Sequence, residues 1–142
     1  VDIVRVDSPV QIVTKPGALL SFHASAQGKV ALAFGDPDLL PAQLAADHPP
    51  MANGEAFDPA RLQAEIARAG KAGWAVAPEE TLRGVNAISA PIFDLENRFI
   101  ATITVAGSLQ ELPAEPPTSL CAAVTQAARA ISIDLGCTEY PT

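Results

Sequence analysis

The chain has 142 residues, 49% hydrophobic and 18% charged, enough to enclose one core and too few for two ordinary domains. Sixteen Asp and Glu against nine Lys and Arg leave a net charge of −7; only Arg129 is basic in the last 44 residues, and residues 31–60 hold five acids and no base. Gripping a phosphate backbone needs clustered cations, so this chain does not hold nucleic acid by itself. Cys121 and Cys137 stand sixteen apart without a CxxC pattern, which fits a reducing cytoplasm better than a disulfide scaffold. No apolar run reaches the roughly 18 residues of a membrane span, and no signal peptide opens the chain. A soluble, cytoplasmic protein without a membrane partner is expected. The first residue is Val1 rather than Met, so the chain reads as a piece of something longer.

Val1 to Val6 is strand-like, and Asp7-Ser8-Pro9 supplies turn chemistry. Gln11 to Thr14 and Ala18 to Phe22 extend again around Pro16-Gly17, giving two or three short strands in a meander. Ser25 is an N-cap for a helix over Ala26 to Phe34, ended by Gly35-Asp36-Pro37. A second short helix covers Asp38 to Ala46, and residues 47–57 form a loop. Asp58-Pro59 starts a third helix, running to about Ala69 and ended by Gly70 or Gly73. Trp74 to Ala77 reads as a strand and Pro78 to Gly84 as a polar loop. Val85 to Phe93 and Arg98 to Ala106, joined by Asp94-Leu95-Glu96-Asn97, make the clearest hairpin. A long helix, Thr118 to Leu135, closes at Gly136, with Leu120, Val124, Ala127, Ile131 and Leu135 as its apolar face, for the core or for a subunit contact. This order predicts an α+β domain, a largely antiparallel sheet with helices around it.

The hairpin carries the functional signal. Side chains alternate between the faces of a strand. Val85, Ala87, Ser89 and Pro91 share one face, as do Ile100, Thr102, Thr104 and Ala106; the opposite faces hold Ile88, Ala90, Ile92 and Phe99, Ala101, Ile103, Val105. A face of small and hydroxyl-bearing residues leaves volume that close packing does not tolerate empty. Another element of the fold, a guest molecule, or a solvated sheet face where Thr is favoured accounts for it; Ser89, Thr102 and Thr104 can orient a small polar guest by donating and accepting hydrogen bonds. The helix start at Ser25, Ala26, Gln27 and Gly28 is a second candidate, since free N–H groups and the dipole favour an anion there, although every capped helix has such a start. His23 and Ser25 lack a nucleophile elbow, and His23, His48, Cys121 and Cys137 match no zinc spacing. No catalytic residue, metal or cofactor is therefore expected.

The segment from His23 to Lys29, followed by Val30-Ala31-Leu32-Ala33, resembles the HATAxGKAxLA signature of the IclR (isocitrate lyase regulator) family. Gly73-Trp74-Ala75, Glu79-Glu80, Gly84 and Ala87 to Asp94 resemble its GYAxxxEExxxGxxxIAAPxFD stretch, and Val1 to Pro9, Val105-Ala106-Gly107 and Leu135-Gly136 extend the resemblance over nearly the whole chain. The resemblance implies a GAF-like effector-binding domain spanning residues 1–142, truncated at its N-terminus. The DNA-binding helix-turn-helix domain would lie upstream, so DNA would be reached only through that missing part. It further implies a small-molecule effector, typically a carboxylic acid, and assembly as a homodimer or homotetramer.

Carried over by motif, the effector contacts fall at Ala26, Gln27, Ala77, Val85, Ala87, Thr104 and Ala106; Ser89 and Thr102 extend that face by alternation. Where this sequence has Ala77, Asn86 and Ala87, the family commonly has an acid, an arginine and a cysteine. The departures imply a less polar site: a carboxylate near the Gln27 amide, and an apolar, aromatic body against Val85, Ala87 and Ala106. The alternative is a GAF-like module serving only for oligomer assembly. Asn97 takes a turn position usually held by glycine, which its tolerance of left-handed geometry allows.

Overall fold

The structure, a computed structural model, describes residues 2–7 and 16–141. Helix α1 spans Ala26–Phe34, α2 Leu39–Ala45 and α3 Pro59–Ala72. Strands β1 (Ala75–Val76), β2 (Val85–Phe93) and β3 (Phe99–Ser108) follow, and α4 (Thr118–Asp134) closes the order. The strands make one antiparallel sheet in the order β1-β2-β3. No described helix is long and apolar enough to cross a membrane.

Local chemistry sets the boundaries. Ser25 Oγ accepts from the Gly28 N–H at the head of α1, and Asp58 Oδ1 accepts from the Ala60 and Arg61 N–H groups at the head of α3, with Pro59 at its first position. Gly73, at φ 77°, ends α3 in the left-handed conformation that a glycine C-cap supplies, so Gly70 lies inside the helix. Asp94 Oδ1 accepts from the Glu96 and Arg98 N–H groups across the β2–β3 turn, and Asn97 sits at φ 58°, as the turn requires.

Two layers sandwich the sheet. On one side Ile88, Ala90 and Ile92 pack with Cys121, Val124 and Ala128 of α4 and with Leu112, joined by Val76 and Ile103. Ile88 is fully enclosed, a contribution of roughly 1.5–3 kcal/mol from burial. On the other side Val30 of α1 packs with Ala75 and with Ala69 of α3, beside Phe34 and Phe99. Leu32, Leu62 and Ile66 then join α1 to α3, with Leu39, Leu40 and Leu44 of α2 against them.

Three expectations need correction. Residues 2–7 and 18–22 form no strand; they are nearly all exposed there, and a strand exists only where its backbone groups find a ladder. Gln11 to Thr14 lie outside the described residues. Second, the buried stripe of α4 is Cys121, Val124, Ala128 and Ser132; of the expected apolar face Val124 is buried and Leu120 packs on the core, but Ile131 and Leu135 do not. The helix turns Ser132 inward because its Oγ accepts from the Phe93 N–H at 3.0 Å and donates to the Ala128 carbonyl at 2.8 Å. Ile131 and Leu135 are consequently left 37% and 48% exposed. Third, Phe99 does not share a face with Ala101 and Ile103. A bulge skips Ile100, pairing Ile92 with Ala101 and then Phe93 with Phe99. That extra residue reverses the alternation and carries Phe99 to the α1 side, edge-on to Phe93.

Candidate functional site

The register settles which small residues meet. Ala87 lies opposite Ala106, Ser89 opposite Thr104, Pro91 opposite Thr102 and Val85 opposite Ser108. Ala75 pairs with Ser89, and the Ala77 N–H donates to the Ala87 carbonyl. Ala77, Val85, Ala87, Ser89, Thr102, Thr104 and Ala106 therefore share one sheet face, on the side where α1 packs. Ser89 is fully buried and Ala77 nearly so. Val85, Ala87 and Thr104 are half-buried and Ala106 is exposed, so these four make an open quartet at one end. Thr102 stands apart, towards the hairpin turn. The Ser89 and Thr104 hydroxyls share a hydrogen bond of 2.8 Å, with the Ile103 carbonyl 3.3 Å from Ser89 Oγ.

Helix α1 closes the other end of this face. Phe34 meets Phe93 edge-on, and Val30 covers Ala75. Ala26, one turn earlier, lies towards the Val85–Ala87 end. Its surroundings differ from an open helix start. Gly28 backs onto the chain itself, where a Cβ would lie 2.5 Å from Phe22 Cα, and its N–H is taken by Ser25 Oγ. Ala26 is buried and Gln27 half-buried. No described residue accepts from the Ala26 and Gln27 amides, so these are the two N–H groups the helix start offers.

None of the nine candidate residues is charged. The nearest cation on α1, Lys29, is 2% exposed and fully engaged: 2.8 Å from Glu80, 2.7 Å from Glu65 and 3.2 Å from the Val76 carbonyl. Arg61 extends the network to Glu65, Glu55 and Glu80. Burial pushes the Glu80 carboxyl above the usual range against the pull of Lys29. Sequence reasoning missed this cluster; its visible signals were a Lys in a mostly apolar helix and the Glu79-Glu80 pair, of which Glu80 is buried. Small clefts flank it, one beside Arg68 and Trp74, the other beside His23 and Phe57, and neither includes any of the nine residues.

His23 stacks on His48 with ring centroids 3.9 Å apart, and both meet Phe57. Ser25 Oγ donates to the Ser21 carbonyl at 2.6 Å, which commits it to capping. Among the described residues no three His, Cys, Asp or Glu converge as metal ligands. Asn86, fully buried, points away from the small-residue face: its side chain donates to the Pro113 carbonyl at 2.8 Å, tying β2 to the segment before α4.

Comparisons with known proteins bear on the fold and the family. Residues 1–133 match the sequence model of the family described as "Bacterial transcriptional regulator IclR C-terminal". A glycerol operon regulatory protein of Streptomyces griseus is 31% identical over 130 residues, covering 90% of this chain and 51% of the relative. Among solved structures, the IclR of Thermotoga maritima superposes with a TM-score of 0.80 at 26% identity, over 94% of this chain and 55% of its own. An IclR homologue from Microbacterium hydrocarbonoxydans, solved in complex with 4-hydroxybenzoate, gives 0.77 at 27% identity, over 89% and 50%. The chain thus spans about half the length of the relatives it matches.

Proposed function

The chain belongs to the IclR family of bacterial transcriptional regulators, and from that premise we propose that it is the effector-sensing domain of such a regulator, a binding module and not an enzyme. The observation that carries the reading is the uncharged face at Val85, Ala87, Thr104 and Ala106, together with the Ala26 and Gln27 amides at the start of the helix that packs on that side of the sheet. A small carboxylic acid suits both parts. Its carboxylate would accept from the Ala26 and Gln27 amides, and an aromatic body would lie on the alanines and Val85, with the Ser89–Thr104 hydroxyl pair at its far end. The 4-hydroxybenzoate complex of the Microbacterium homologue supports an acid of this kind.

The signal would be a population shift. The ligand favours one arrangement of the domain, and its differential affinity passes through a subunit contact to DNA-binding domains upstream of this chain. The protein would act in the cytoplasm as a homodimer or homotetramer. The exposed Ile131 and Ile133 on α4 and Leu135 at its end favour a second reading, assembly without a ligand.

Thermal unfolding against aromatic and aliphatic carboxylic acids, 4-hydroxybenzoate among them and glycerol as the neutral control, decides between the two. A true ligand at about 100 times its dissociation constant adds roughly 2.7 kcal/mol, several degrees in a domain of this size. A selective shift with aromatic acids supports the sensor. No shift with any acid refutes the acid site and leaves assembly as the role.

A further inference from the structure

Lys29 lies one turn beyond the two free amides of α1, and its ammonium reaches three parts of the chain at once. It donates to the Val76 carbonyl of β1 and to Glu80 in the loop between β1 and β2, and it pairs with Glu65 on α3. Ala77 sits between the first two of these acceptors. Two backbone bonds then carry that placement into the wall of the site: the Ala77 N–H donates to the Ala87 carbonyl at 3.2 Å and the Glu79 N–H to the Val85 carbonyl at 2.8 Å. The same loop is held from outside by Thr81 Oγ1 on the Ala24 carbonyl at 2.6 Å and by Arg83 Nε on the Ala52 carbonyl at 2.9 Å. A buried ion pair is weak evidence for stability, because its desolvation cost offsets its attraction, whereas its geometry is exacting. Three partners on three elements specify a position.

We propose that Lys29 is a positioning residue of the effector site, holding the end of β1 and the following loop against the start of α1 so that Ala77, Val85 and Ala87 keep their separation from the Ala26 and Gln27 amides. The proposal rests on the effector reading of this face but is tested without a ligand, so its failure and the failure of that reading are separate results.

The test is amide hydrogen exchange on the chain and two variants, Lys29→Met and the double Lys29→Met/Glu80→Gln, which removes the carboxylate the single change strands. In both, exchange at Ala77 and Glu79 is expected to rise about tenfold relative to the β2–β3 ladder. A merely structural Lys29 predicts that the double variant restores protection, or that Ala77 and Glu79 follow the ladder throughout; either result overturns the proposal.

Should the variants fail to fold, a pH series on the unaltered chain decides. Glu80 is faced by Lys29 from α1, by Arg61 and Glu65 from α3 and Asp58 at its cap, and by His23 from the segment before α1; Glu79, its neighbour in the loop, is turned to the Gly84 N–H. Its burial raises the pH at which it takes a proton. Exchange at Ala77 and Glu79, corrected for its intrinsic pH dependence, is then expected to quicken as Glu80 titrates. Unchanged protection across that titration would overturn the assignment.

Discussion

Replacing Thr104 by Val and Ala106 by Leu together tests the small-residue face at little cost to the fold. Valine keeps the shape of threonine and loses one hydrogen bond, the 2.8 Å contact with Ser89 Oγ. Ser89 is not stranded, because the Ile103 carbonyl remains 3.3 Å away. The loss is about 0.5–1.5 kcal/mol. Ala106 is exposed and lies opposite Ala87, so the added carbons of leucine overpack no core and instead spread over the open quartet. A thermal midpoint lowered by about 1–6 °C is expected. With the panel acid that stabilises the unaltered chain most, the variant should show no stabilisation, against roughly 2.7 kcal/mol in the parent at 100 times the dissociation constant. A variant that keeps the parent's ligand-induced shift refutes the placement of the site. A midpoint lowered by about 10 °C or more would refute instead the claim that Ala106 faces open space.

Two further perturbations probe the frame around the site. Ser132→Ala leaves the buried Phe93 N–H without its 3.0 Å acceptor, a cost of about 1–3 kcal/mol; urea unfolding should show a lower midpoint at an unchanged slope, and an unmoved midpoint would deny the helix rotation its cause. Burial first, then His48 and Lys29, hold the His23 pKa below its ordinary value of 6.5. Its neutral form therefore stabilises the fold fully above that value, and the contribution is lost as pH falls from 6.5 through the lowered folded value. Glu80, with its raised pKa, slopes the opposite way, so the measured quantity is the stability difference between the chain and His23→Gln across pH 5 to 8. That difference should move against the unaltered chain towards pH 5; parallel curves would show that His23 titrates alike in both states.

Most of the element boundaries could be read from single residues. Ser25, the Asp58-Pro59 pair and the Asp94–Asn97 turn each act through contacts within a few positions, so the chain around them determines the outcome. The two faces of the hairpin were legible for the same reason, since alternation is a local rule. What escaped depends on distance or on one inserted residue. The bulge at Ile100 breaks the alternation once and sends Phe99 to the other side, which no count of apolar residues signals. The Lys29–Glu80 contact joins positions 51 apart, and nothing near either residue marks the other. Ser132 looked like a polar interruption beside an apolar stripe; its role arises from the unpaired Phe93 N–H, a product of the hairpin. The helix start was legible as a capped end, and that cap takes the Gly28 N–H; the close approach of Phe22 to Gly28, which leaves no room for a side chain there, was not.

The displaced Phe99 also helps close one end of the small-residue face. With Phe34 and Phe93 it forms a wall of aromatic edges across the hairpin end of the small-residue face. Val30 and the buried Ser89 bring the accessible floor to a stop well before that wall. Between Ser89 and Val85 the strand advances about 13 Å, room for a single ring with one short polar group and little more. On the proposed reading, a guest with a longer tail would extend away from the hairpin, past the paired Val85 and Ser108. A homologous series of acids lengthened one carbon at a time would then act as a ruler for the open end of the face, its closed end being fixed by Val30 and Ser89.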